Sequence, residues 1–183
     1  MSIQSRSVRT RHPATIALIA LPLLLVLAAA ALGIVTRWHA SEPSPVPDRP
    51  LALPPVEAPD ASGQWCHQLV AALPTRLAAS PQPLPRLVIA DPAPPGALAW
   101  GRSTEPDAAV VLRCGLPRPV ELTPGTPLLE IDGVRWLTLS ETDRDTFISV
   151  DRPVFIALTV PRGLGSGPVQ TVSDTVRTAL PGR

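Results

Sequence analysis

The chain has 183 residues, a formal net charge of +1, 25 prolines and only 3% aromatic residues. Every basic residue is arginine, and from residue 62 onward eleven arginines balance eleven acids, so there is no basic patch of the kind that binds nucleic-acid phosphates. Two cysteines are too few for a self-sufficient structural zinc site, and 45% apolar content is too high for a wholly disordered chain.

Residues 1–14 carry Arg6, Arg9, Arg11 and His12 and are expected to be a basic cytoplasmic N-terminus. Residues 15–35, TIALIALPLLLVLAAAALGIV, contain no charged side chain. At about 1.5 Å per residue they span roughly 31 Å as a helix, the thickness of a bilayer's hydrocarbon core. Pro22 is tolerated in such a helix, where local adjustment re-satisfies the freed carbonyl. Beyond the run come only Arg37 and His39 before Glu42, so the positive-inside rule keeps the N-terminus in the cytoplasm and sends the rest outside. The lipid bilayer is therefore an expected partner, through residues 15–35. The alternative is a signal peptide cut within the apolar run at Ala29-Ala30-Ala31, which would release the remainder as a secreted protein.

Residues 36–61 read as a Pro-rich linker, with Pro43, Pro45, Pro47, Pro50, Pro54, Pro55 and Pro59. Such a segment is either a stiff polyproline spacer or a tether without preferred length. Both readings start an exported domain near Ser62, spanning residues 62–183. Trp65, Cys66, Leu69, Val70, Leu73 and Leu77 form an apolar helix stripe, with Ser62 as the N-cap and Pro74 stopping the helix near Ala72 or kinking it into a further turn through Ala79. Residues 87–90 and 109–114 read as strands, the latter with Val110, Leu112 and Cys114 on one face. Asp132-Gly133 is the preferred pair for a two-residue type I′ hairpin, which sets Ile131 opposite Val134, Glu130 opposite Arg135 and Leu129 opposite Trp136. Residues 146–150 and 154–160 are two further strands. Val169, Val172, Val176 and Leu180 make a closing helix, with Pro168 at its start and Gly182 past its end. The fold class is α+β: a small two-layer sandwich of a mainly antiparallel sheet and two packed helices.

Several residues carry a family resemblance. Cys66 with Leu73-Pro74, Ala99-Trp100-Gly101, Val111-Leu112-Arg113-Cys114-Gly115 with Pro117 and Pro119, and then Gly133, Trp136, Arg152 and Val160-Pro161 resemble the pattern of domain of unknown function 3515. This is an actinobacterial family of membrane-anchored or secreted proteins. The resemblance implies the same anchor-plus-domain layout and carries no activity and no functional residue.

The chemistry in the exported part is sparse. Cys66 and Cys114 lie on apolar faces of an exported domain and are expected to form a structural disulfide between the first helix and the strand at 109–114, with two buried free thiols as the alternative. Closing a loop of about 49 residues stabilises by roughly 4 kcal/mol in the chain-entropy model. His67 reads as a surface helix residue, because no second histidine joins it. Gly163-Leu164-Gly165-Ser166-Gly167 is a turn that lacks the lysine of a phosphate-binding loop. Glu141, Asp143, Asp145 and Asp151 surround a strand connection, and a solvated hairpin end explains them better than calcium, since the Asp-x-Asp-x-Asp-Gly pattern is missing. Trp136 belongs to the hairpin's apolar face. The long connection 91–108 holds Trp100 and Arg102, which either present an aromatic platform to an envelope protein or glycan or, for Trp100, close the core. The functional expectation is an uncharacterised single-pass envelope protein, its domain a non-catalytic binding or scaffold module, with no cofactor, no metal and no nucleic-acid partner. The alternative is an envelope hydrolase or transferase using carboxylates such as Asp91, Asp143 or Asp145.

Overall fold

The structure, a computed structural model, describes residues 50–102 and 105–183. The basic N-terminus (1–14), the apolar run (15–35) and the linker up to residue 49 lie outside these described residues. Among the described residues, no helix is long and apolar enough to cross a membrane.

Helix α1 (Gln64–Ala72) buries Cys66 and Leu69, the residues its stripe predicts. Its N-cap is Gly63, not Ser62, and no side chain caps it. Leu73 ends it in an extended conformation (ψ 138°), the geometry a following proline imposes. The chain then runs extended into β1 (Arg76–Leu77), which pairs with β2 (Leu84–Pro85), instead of restarting a helical turn. Six more strands follow: β3 (Ala97–Trp100), β4 (Val110–Leu116), β5 (Leu129–Ile131), β6 (Val134–Ser140), β7 (Arg144–Ser149) and β8 (Phe155–Pro161). Helix α2 (Gly167–Ala179) closes the fold, with Ser166 as N-cap and Pro168 in the first turn.

All neighbouring pairs in the six-stranded sheet are antiparallel, in the order β3-β4-β8-β7-β6-β5. Its β5–β6 turn is the expected one: Asp132 and Gly133 both have positive φ (49° and 75°), and Leu129, Glu130 and Ile131 pair with Trp136, Arg135 and Val134. Positive φ at both central positions defines the type I′ turn, whose twist matches that of the strands.

Alternation along the strands separates two faces. One carries Trp100, Leu112, Cys114, Ile156, Leu158 and Trp136, and these pack with Leu69, Val172 and Val176 of the two helices into the main core. The other carries a smaller cluster of Leu137, Ile148 and Ala157, packed by Leu122 from the β4–β5 connection. The α+β class with two helices and an antiparallel sheet is therefore present.

Two further readings need correction. Residues 87–90 form no strand; Leu87 donates its N–H to Ala99 at the β3 edge (2.8 Å), and Ile89 makes an isolated parallel bridge with Leu51. Residues 51–61, expected in the free linker, lie against the domain. Leu51 exchanges hydrogen bonds with Val88 and Ala90 (2.8 and 2.9 Å), Arg113 donates to the Pro54 carbonyl (2.9 Å), and Ala61 is buried. Partial burial under this strap pulls the Arg113 pKa below its ordinary value. Gly115 makes the docking feasible. It sits at φ +86° in the bulge between Cys114 and Leu116, and a Cβ there would lie 2.2 Å from the Ala61 nitrogen.

Candidate functional site

The expected disulfide is present: Cys66 and Cys114 are bonded, with their Cα atoms 5.6 Å apart and both side chains fully buried. It ties α1 to β4 within the main core. His67 projects from α1 into solvent, as its position on the helix predicts.

Trp100 is fully buried, so it offers no ring to a partner. Its indole N–H donates to the Pro74 carbonyl at 3.0 Å, and the Arg86 guanidinium stands 5.6 Å from the ring centroid. Arg86 also donates to the Leu73 and Pro74 carbonyls (2.7 and 3.1 Å). These bonds satisfy the carbonyls left open where Pro74 ends α1, and the cation adds favourable contact with the ring's negative face. Arg102 is exposed and reaches Gln82 at 3.5 Å. The pair Trp100 and Arg102 thus separates into a core residue and a surface residue. Trp136 is also buried; its N–H donates to Ser173 on α2 (2.9 Å) and its ring meets Phe147 edge-on at 6.5 Å.

The acids divide between different places. Asp143 is exposed and pairs with Arg144 at 2.6 Å; that hydrogen bond holds its carboxyl below the usual carboxylate range and raises the arginine. Asp145 pairs with Arg162 at 3.1 Å, and Arg162 also donates to the Glu141 carbonyl (2.8 Å). Asp151, at the far end of β7, is buried with Arg152 at 3.0 Å and Arg135 at 3.6 Å. Arg152, equally buried, donates onward to the Gly133 carbonyl (2.8 Å), fastening the β7–β8 connection to the hairpin turn. Asp91 lines a separate groove of about 480 Å³ between residues 52–56 and 90–95. Asp91 and Asp145 therefore serve different cavities, and no three of His, Cys, Asp and Glu converge at metal-binding range among the described residues.

What the fold does assemble is a cleft of about 410 Å³ on the helix side of the sheet, beside the β5 edge. Leu129 and Ile131 come from β5, Asp145 and Phe147 from β7, and Val160 from β8; Arg162, Ser166 and Val169 come from the connection to α2 and its first turn. The start of α2 stands at one side of the cleft, and of the apolar strand residues Leu129 is exposed while Ile131 and Phe147 are half-buried. The lining is mostly apolar, with one carboxylate–guanidinium pair that can orient a polar group, the usual composition of a recognition cleft. Sequence reasoning placed Asp145 at a solvated hairpin end and read Gly163–Gly167 as a separate turn, but did not bring these two together or bring Leu129, Phe147 and Arg162 to them. Those residues lie on separate strands, and their spacing in the chain carries no sign of the meeting.

No curated protein and no solved structure matches the chain. The sequence pattern of the family described as Protein of unknown function (DUF3515) matches residues 19–183. Nearly the whole chain lies within that match, and the protein belongs to this family.

Proposed function

We propose that the chain is a single-pass envelope protein whose domain, held outside the cytoplasm by residues 15–35, is a binding or scaffold module that contacts its partner through the cleft beside β5. The observation that carries the reading is that cleft: about 410 Å³, walled by Leu129, Ile131, Phe147, Val160 and Val169, with Asp145 and Arg162 paired at its side. The uncharged run at 15–35 behind three arginines supports the topology, and the disulfide fits an oxidising compartment.

Two experiments test it. A reporter fused after Arg183 is active only in the exported compartment; activity in the cytoplasm overturns the topology. A photo-cross-linking residue at Ser166, in the full chain in native membranes, yields a discrete adduct with a molecule other than a second copy of this chain. That adduct is lost in Arg162→Glu and kept in Arg118→Glu, an exposed change in the β4–β5 connection. Absence of an adduct, or its persistence in Arg162→Glu, overturns the role of the cleft.

A further inference from the structure

We propose that two copies of this chain associate through β5, running antiparallel across a two-fold axis at Leu129, so that each copy extends the apolar wall of the other's cleft. This deepens the binding-module reading and rests on it for the role of the cleft alone.

The two edges of the sheet differ. The outer edge of β3 is covered, because Leu87 donates to the Ala99 carbonyl and Gly101 donates to the Pro85 carbonyl (2.8 and 2.9 Å). Among the described residues, the β5 strand pairs only with β6. In a two-residue hairpin the residues flanking the turn bond to each other, so Ile131 and Leu129 aim their backbone groups at β6, whereas Glu130 and Leu128 aim theirs outward. Among the described residues no backbone hydrogen bond reaches Leu128 or Glu130 from any other segment. Unpaired groups of this kind are complementary to another extended backbone. Leu128 and Leu129 are also among the most exposed large apolar residues, at 37% and 48%.

Register identifies the second strand. An axis at Glu130 sets two carboxylates directly opposite, which is destabilising. An axis at Leu129 sets the two Leu129 side chains opposite each other and pairs Leu128 of each copy with Glu130 of the other. Each of these two pairs exchanges two N–H···O=C bonds. In this register Glu130 of each copy faces an apolar residue across the seam, and Arg135 stands opposite it on β6. The segment is therefore self-complementary, as an isologous interface requires. Leu129 shares the helix-side face with Ile131, so the second copy's Leu129 arrives where the cleft opens.

The native chain has two cysteines and both are in the disulfide, so Leu129→Cys introduces a single free thiol. In the full-length protein in detergent micelles, mild oxidation is expected to link Leu129→Cys into a covalent dimer and to leave Val120→Cys monomeric; Val120 is 87% exposed on the β4–β5 connection. Glu130→Pro removes the outward N–H without touching the ladder to β6. It is expected to weaken the dimer at least tenfold in analytical ultracentrifugation, with an unchanged circular dichroism spectrum and an intact Ser166 adduct. Equal cross-linking at Val120, a monomer at all concentrations, or a dimer indifferent to Glu130→Pro overturns the proposal. The Ser166 adduct reports separately on the binding-module reading.

Discussion

Replacing both cysteines with alanine removes the covalent tie between α1 and β4, and its cost follows from the length of chain it closes. The two residues are 48 apart in sequence. In the chain-entropy model a loop of that size restricts the unfolded state by about 4 kcal/mol at 25 °C. The two sulfurs also fill space in the main core, where both cysteines have no exposed surface. Their loss adds on the order of 1 kcal/mol of packing. A folded unit of about 130 residues has an unfolding entropy near 0.27 kcal/mol/K, so a loss of 4–5 kcal/mol lowers the melting temperature by roughly 15 °C. Thermal unfolding of the full-length chain followed by circular dichroism reads this directly. Native protein incubated with a mild reductant should keep the parental melting temperature, because the bond is buried. A drop of less than about 4 °C in the double variant, or alkylation of both sulfurs in the native protein as isolated, refutes the reasoning.

Three other outcomes follow from single contacts. Gly115→Ala combines a left-handed φ with a Cβ only 2.2 Å from the Ala61 backbone, so it should cost about 3 kcal/mol or more and free residues 51–61 to rapid amide exchange, read by hydrogen-exchange mass spectrometry. Asp151→Asn leaves the buried Arg152 guanidinium without its counter-charge and should lose about 3–5 kcal/mol in denaturant unfolding. Asp143 has a lowered pKa, so its pair with Arg144 contributes above the unfolded-state value and fades as pH falls through the lowered one. Arg144→Ala should therefore move the Asp143 carboxyl titration, followed by NMR, up toward the ordinary range, with almost no change in melting temperature because the pair is exposed.

The elements that periodicity and turn chemistry specify locally were legible. The β5–β6 hairpin is the clearest, since Asp132-Gly133 sets the turn and the turn sets every cross-strand pair. Both helix stripes were legible too, although Leu77, counted in the first, lies in β1, and Pro74 left a stop or a kink open until the extended Leu73 decided it. Where the local signal was only a short apolar run, as at residues 87–90, the reading depended on a partner that the run does not name. Leu51 and the β3 edge supply it, and they arrive from either side in the chain. Trp100 shows the same limit at the candidate site. A tryptophan between prolines and glycine is compatible with display or with burial, and the Pro74 carbonyl that buries it lies 26 residues earlier.

Composition and spacing by themselves determined the apolar run, the Pro-rich stretch, the helix faces and the hairpin register, because each of these depends on neighbours a few residues apart. Tertiary structure alone decided that residues 51–61 dock on the domain, that Asp151 and Arg152 are buried together, and that Leu129, Phe147 and Arg162 share one cleft. These depend on how the strands are ordered across the sheet and on where α2 begins to cover it. Order and coverage are settled by packing between distant segments, and no local pattern encodes them.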